Sequence, residues 1–256
     1  MNRYFIRLAF VGSRFHGWQT QENAISVQQQ LNEAFSVVLK QDVQLTGCGR
    51  TDTGVHAKDF IAHYDFFGYH TQSERLDLIF RLNRFLPRDI VIKEIIPVKV
   101  DAHARFSALS RTYEYHINRV KDPFEEGFSY YIFGDLDVDL MNKGAELLMT
   151  ITDFSSFSKS KTQVKSKLCN LYYVRWEQRG DKLVFTIRAN RFLRNMVRAV
   201  VGTLLDLGKG TIDIAMLQQI INERSRSAAG FSVPACGLFL TRIEYPQDIF
   251  LPLDNE

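Results

Sequence analysis

Twice along the chain, hydrophobic periodicity switches between two and about 3.6 residues in the same order. In the first half, residues 4–11 alternate, with Tyr4, Ile6, Leu8 and Phe10 on one face of a half-buried strand. Ser26 is placed to cap a helix over 27–40, whose Val27, Leu31, Ala34, Phe35 and Val38 fall at helical spacing. Strands follow over 43–48 and 59–67. A helix over 74–86 comes next, ended by Pro87, and then a strand over 90–100. That order is β-α-β-β-α-β. The second half repeats it. A strand over 112–118 and a helix over 139–149 precede a hairpin of 168–178 and 182–189 around Gly180 and Asp181. A long helix over 191–207, a further helix over 214–223 and a closing strand over 238–245 complete the repeat.

The order is the ferredoxin-like one, so the expected fold class is α+β. Two ferredoxin-like (RRM-like) halves, 1–106 and 107–256, join into one extended, mostly antiparallel sheet with the active-site cleft between them. A length of 256 residues suits one large domain or two moderate ones. With 45% hydrophobic and 24% charged residues, the chain is neither a disordered tail, a collagen-like fibre nor a disulfide-stapled miniprotein. Cys48, Cys169 and Cys236 are odd in number and far apart, which reads as reduced thiols in a cytoplasmic protein. The amino-terminal residues read as a strand rather than a leader, and no stretch has the roughly 18 apolar residues of a membrane helix.

The net charge of +3 names no partner, but its distribution does. Residues 154–198 hold eleven Lys and Arg against Glu177 and Asp181, a local +9 that leaves the rest of the chain at −6. A basic segment on an acidic body suits a polyanion. Within it, residues 154–167 contain Ser and Lys and no acidic residue. They read as a solvated loop or as one that orders on a phosphate backbone.

The densest chemical cluster is Gly47-Cys48-Gly49-Arg50-Thr51-Asp52-Thr53-Gly54-Val55-His56-Ala57. Glycines on both sides permit tight backbone geometry around the single carboxylate of Asp52. Such an Asp also serves as an Asx turn, and a metal site of Asp52, His56 and His63 is a further, weaker reading. No Walker A loop and no Gly-x-Ser-x-Gly elbow is present.

GRTDTGVHA resembles the active-site motif of the TruA family of tRNA pseudouridine synthases. Five further segments resemble that family in order: FHGWQTQ from Phe15, HARFSALSRTYEY from His103, DFSSFSK from Asp153, NRFLRNMVRAVVGTLLDLGKG from Asn190, and PACGLFLTRIEYP from Pro234. Thr53 departs from the Ala common in the family. The resemblance implies an isomerase that converts uridine to pseudouridine in the anticodon stem-loop of tRNA, at positions 38, 39 and/or 40, using no cofactor and no metal. It implies Asp52 as the catalytic carboxylate and Arg198 as its partner on the long helix. Arg194, four residues earlier, competes for that role or contacts phosphate. It implies Tyr113 against the target base; Tyr115 on the same strand face reads as core, and Leu238 reads as lining the other face of the uracil or as plain core. Arg50 would enter the vacated base stack, and His56 with the loop of His16, Trp18 and Gln19 would contact RNA. A homodimer sharing each tRNA is implied as well. Two other classes fit parts of the pattern: a non-catalytic RNA-binding module of two RRM-like domains, and a metal-dependent phosphoesterase using Asp52 and His56.

Overall fold

A computed structural model describes residues 1–159 and 166–252, which form two compact units of mixed α+β structure. The first runs from Met1 to Leu109 and regains the chain from Leu240 onward; the second is Ser110–Phe239. Among the described residues no helix is long and apolar enough to cross a membrane.

In the first unit, β1 (Asn2–Phe10) buries Tyr4, Ile6, Leu8 and Phe10, as the alternation predicts. Its other face is not left to solvent. Phe5 is fully buried there, edge-on to Tyr245 with ring centres 5.1 Å apart. Arg3 and Arg7 flank it on the same face. Arg3 forms a bidentate pair with its cross-strand neighbour Asp65 at 2.7 and 2.8 Å. Arg7 meets Asp59 at 3.3 Å and Glu94 at 3.1 Å. Cross-strand ion pairs thus cover the apolar centre of a strand that is buried on both sides.

The helix α1 (Val27–Leu39) starts where Ser26 accepts the Gln29 N–H and stops where Lys40 turns left-handed at φ 55°. The strand expected over 43–48 shrinks to β2 (Thr46–Gly47). Side chains of α1 take the backbone groups that a strand neighbour would need. Val43 N–H donates to Ser36 Oγ, Leu45 N–H to Asn32 Oδ1, and the Leu45 carbonyl accepts from Gln28 Nε2. The strand β3 (His56–Phe66) begins earlier than expected. A capping box between Thr71 and Glu74 opens α2 (Gln72–Phe85), two residues earlier than expected, and β4 (Ile90–Val98) follows.

The second unit holds β5 (Ser110–Asn118), the short β6 (Tyr130–Tyr131) parallel to it, and α3 (Val138–Met149). The hairpin is β7 (Leu171–Arg179) and β8 (Lys182–Ala189), turned by Gly180 at φ 61°. The helices α4 (Met196–Gly208) and α5 (Ile214–Glu223) follow. The long helix therefore starts five residues later than the apolar pattern suggests, because Asn195 sits left-handed at φ 66° just before it. Its packing on α3 is close: a Cβ on Gly144 would stand 2.5 Å from Leu207 and 2.8 Å from Leu204. Within this unit the strands lie in the order β5-β8-β7 with antiparallel neighbours.

The last strand, β9 (Leu238–Glu244), was expected to close the second half; from Leu240 on, the chain packs with the first unit, beside β3. The first unit's strand order is β4-β1-β3-β9, with β2 also on β3. The pairs of β1 with β3 and β4, and of β2 with β3, are antiparallel.

Candidate active site

Asp52 lies in the irregular loop between β2 and β3, and another loop of the first unit holds it in place. That second loop, residues 12–18, leaves β1 and carries the sequence Phe15-His16-Gly17-Trp18. Gly17 sits at φ 87°, and a Cβ there would stand 2.3 Å from the Thr51 carbonyl oxygen. A Cβ on Gly12 would stand 2.0 Å from the Val55 carbonyl oxygen. Both glycines are required because the two backbones touch on either side of Asp52. Gly54 N–H donates to the Phe15 carbonyl at 3.2 Å, and Val55 N–H to the Asp52 carbonyl at 3.2 Å. Asp52 itself is half-buried, Arg50 and Thr53 are exposed, and Thr51 is buried.

His56 does not face outward. It is 1% exposed, and its Nδ1 accepts the Gly12 N–H at 3.0 Å. The RNA contact expected of it finds no accessible surface, because the ring is spent on joining the two loops. Trp18 is also internal, 3% exposed and stacked on Phe60 at 4.2 Å, with Gly47 against its indole. Of the loop expected to touch RNA, His16 and Gln19 are exposed. His63 Nδ1 accepts the Ala104 N–H at 3.2 Å, so the ring nitrogens at Nδ1 of both histidines of the metal reading are already committed to backbone donors. Among the described residues, no three His, Cys, Asp or Glu side chains gather as a metal site.

In the second unit, Tyr113 is half-buried on β5 opposite Ile187, and Phe192 meets its ring edge-on at 5.1 Å. Tyr115, two residues on, is core: it is fully buried and donates its hydroxyl to the Pro234 carbonyl at 2.8 Å. Arg198, in the first turn of α4, donates from Nε to the Val233 carbonyl at 2.7 Å. Arg194 is not on that helix face, since it precedes the left-handed Asn195; its carbonyl accepts the Lys159 N–H. Leu238 is buried at the start of β9.

The basic segment is less of a single surface than its count implies. Arg179 pairs with Glu114 and Glu177 at 2.9 Å each, and Lys182 with Glu125 at 2.6 Å. The His116 hydrogen bond, with Arg179 beside it, holds the Glu114 carboxyl at about 2, well below the usual carboxylate range. Lys159, Lys167, Arg175 and Arg194 are exposed, whereas Lys161, Lys165 and the centre of the segment expected to be a loop lie outside the described residues.

The family model described as tRNA pseudouridine synthase matches residues 147–246. Over 254 residues the chain is 50% identical to the tRNA pseudouridine synthase A of Porphyromonas gingivalis, an alignment covering 98% of this chain and 100% of that protein. The chain belongs to the tRNA pseudouridine synthase A family. The Parabacteroides distasonis member is 46% identical over 253 residues, covering 98% of each chain, and the Bordetella petrii member 40% over 254, covering 97% of this chain and 93% of that one.

Three parts of this family member's candidate site escaped the sequence reading. Phe192 against Tyr113 lies 79 positions away in sequence and carried no local signal. The segment 225–234, with no regular secondary structure, holds Arg198 through Val233. It is itself pinned by Arg226, which donates to the carbonyls of Ala229 and Gly230 and to Ser232 Oγ. Gly12, the donor to His56, lies 44 positions from it, and no local pattern pairs the two.

Proposed function

We propose that this tRNA-modifying isomerase converts uridine to pseudouridine in the anticodon stem-loop of tRNA, at positions 38, 39 and/or 40. The bond from ribose C1′ to uracil N1 breaks, C1′ bonds to C5, C5 loses its proton and N1 gains one. Asp52 begins the reaction, either by attack on the ribose or the uracil ring or by starting an elimination at the ribose. Arg198 neutralises that carboxylate in a dry site, where an unpaired charge is costly. Tyr113 stacks on the uracil and helps remove the C5 proton, and Leu238 lines the ring's other face. Arg50 fills the stack that the flipped base leaves. Exposed Lys159 and Arg194 meet the RNA backbone. The reading includes two ferredoxin-like halves whose residues meet around one uridine, a cytoplasmic homodimer, and neither cofactor nor metal.

The observation that carries it is full-length similarity, at 50% identity, to a protein named tRNA pseudouridine synthase A. The backbone clamp around Asp52 adds physical support. A loop fixed by glycine contacts on both flanks presents one carboxylate with little freedom to lose on reaction. The test is incubation of the chain and of Asp52→Asn with unmodified tRNA, followed by mapping of pseudouridine. Turnover should vanish in the variant while tRNA binding persists; substantial residual turnover would falsify the assignment of Asp52.

A further inference from the structure

His56 stands at the first position of β3, four residues beyond Asp52, and its side chain joins the Asp52 loop to the β1 exit loop. Backbone links also join the two loops: the Gly54 N–H to the Phe15 carbonyl, and the close approaches of Gly12 to Val55 and of Gly17 to Thr51. The exit loop is firmly tied elsewhere. Val11 N–H donates to the Asp89 carbonyl at 2.9 Å, and Arg14 pairs with the Asp89 carboxylate at 2.7 Å. The Gly17 and Trp18 carbonyls accept the Val27 and Gln28 N–H groups at the start of α1. The exit loop is therefore a fixed frame, and the Asp52 loop is what the frame orients.

We infer that His56 is a positioning residue for Asp52. By accepting the Gly12 N–H at Nδ1, it sets where the Asp52 loop closes against that frame. A backbone N–H is always a donor, so Nδ1 carries no proton and the neutral ring holds its proton on Nε2. Protonation or removal of Nδ1 would leave the buried Gly12 N–H without an acceptor at the point where the two backbones are closest. The Gly54 bond to Phe15 would remain, but the link from β3 to Gly12 through His56 Nδ1 would be lost, and Val55 would be held less closely to Gly12. A displaced Asp52 would bind tRNA as before and react more slowly. The inference rests on Asp52 being the reacting carboxylate.

The geometry supplies its own controls. Asn carries its amide oxygen where a histidine carries Nδ1, whereas Gln reaches to the position of Nε2. Full-length His56→Asn, His56→Gln and Asp52→Asn are compared with the unsubstituted protein in three measurements: single-turnover pseudouridine formation on unmodified tRNA, tRNA affinity, and thermal unfolding. His56→Asn should stay within a few-fold of the unsubstituted rate. His56→Gln should lose roughly a hundredfold in rate with affinity unchanged, the loss typical of a reacting group misplaced by about 1 Å. Equal rates for Asn and Gln, or a loss of affinity that accounts for the loss of rate, overturns the inference. If His56→Gln does not fold, His56→Asn decides alone: a folded Asn variant slowed more than about tenfold, or one that also fails to fold, overturns it. Residual turnover in Asp52→Asn is a separate failure, that of the catalytic assignment itself.

Discussion

Arg198 and Val233 exchange two hydrogen bonds. The arginine Nε donates to the Val233 carbonyl at 2.7 Å, and the Val233 N–H donates to the Arg198 carbonyl at 3.3 Å. The guanidinium at the start of α4 is thereby oriented by the segment 225–234, which has no regular secondary structure. Ser232, in the same segment, accepts from Asn195 Nδ2 at 2.6 Å and from Arg226 at 2.8 Å. A planar fork fixed through its Nε is suited to meeting a carboxylate in one orientation.

Arg198→Lys keeps the charge and loses the fixed fork. Single-turnover pseudouridine formation should fall by roughly 10²–10³-fold, the range for removing one preorganised electrostatic contact. Unfolding in urea should show a cost of about 1 kcal/mol from the lost Val233 bond. A rate within a few-fold of the unsubstituted protein would separate Arg198 from the chemistry.

Tyr113→Phe preserves the edge contact with Phe192 and removes only the hydroxyl. If the hydroxyl helps move the C5 proton, turnover should drop by roughly 10²–10⁴-fold while tRNA affinity holds. Tyr113→Ala should weaken affinity as well, because the ring is gone. Rapid chemical quench and filter binding on the same samples distinguish these outcomes; full activity in the Phe variant refutes the proton role.

Gly202 lies in the middle of α4, where a Cβ would stand 1.8 Å from the Phe231 carbonyl oxygen. An exchange to Ala, which ordinarily favours a helix, must here push the 225–234 segment away. Gly202→Ala should therefore destabilise the protein by about 1–3 kcal/mol and lower turnover, because Val233 shifts and Arg198 with it. An unchanged urea midpoint contradicts the close approach.

His63 links stability to pH. Burial first, and the charges of Arg3 and His103 next, lower its pKa from 6.5 to about 4. Its Nδ1 accepts the Ala104 N–H, which a protonated nitrogen cannot do. Below pH 6.5 the unfolded chain takes up a proton that the folded one refuses, so unfolding binds protons and stability falls as pH drops from 6.5 toward about 4. The loss from this group is at most about 3 kcal/mol. His63→Asn, which keeps an acceptor near Nδ1 but does not titrate, should flatten the slope in urea unfolding across that window. An unaltered slope would assign the acid sensitivity to other groups.

Some of the site was legible because its signal is local. Asp52 stands among glycines that only a tight loop needs, and Ser26 and Val27 announce a helix by a cap and a period. The 43–48 segment misled because hydrophobicity reports burial rather than pairing. Val43 and Leu45 are buried as a strand would bury them, but side chains of α1 hold their backbone. The long helix misled for the same reason: Leu193 is buried and keeps the apolar period running, although Asn195 breaks the backbone after it. The basic count told less than the pairing does, because charge in sequence does not say that Arg179 meets Glu114 and Glu177 in space, or Lys182 Glu125.

By itself the sequence determined the alternation of strands and helices, the mixed α+β class, the family, and the one loop where a carboxylate sits among glycines. These follow from short-range physics: side-chain period, capping and backbone freedom act within a few residues. Tertiary structure alone decided that His56 turns inward to Gly12, that Phe192 backs Tyr113, that Val233 orients Arg198, and that the last strand lies beside β3. Each of these depends on which distant backbone groups fold into contact, and no local pattern encodes the partner of a buried donor.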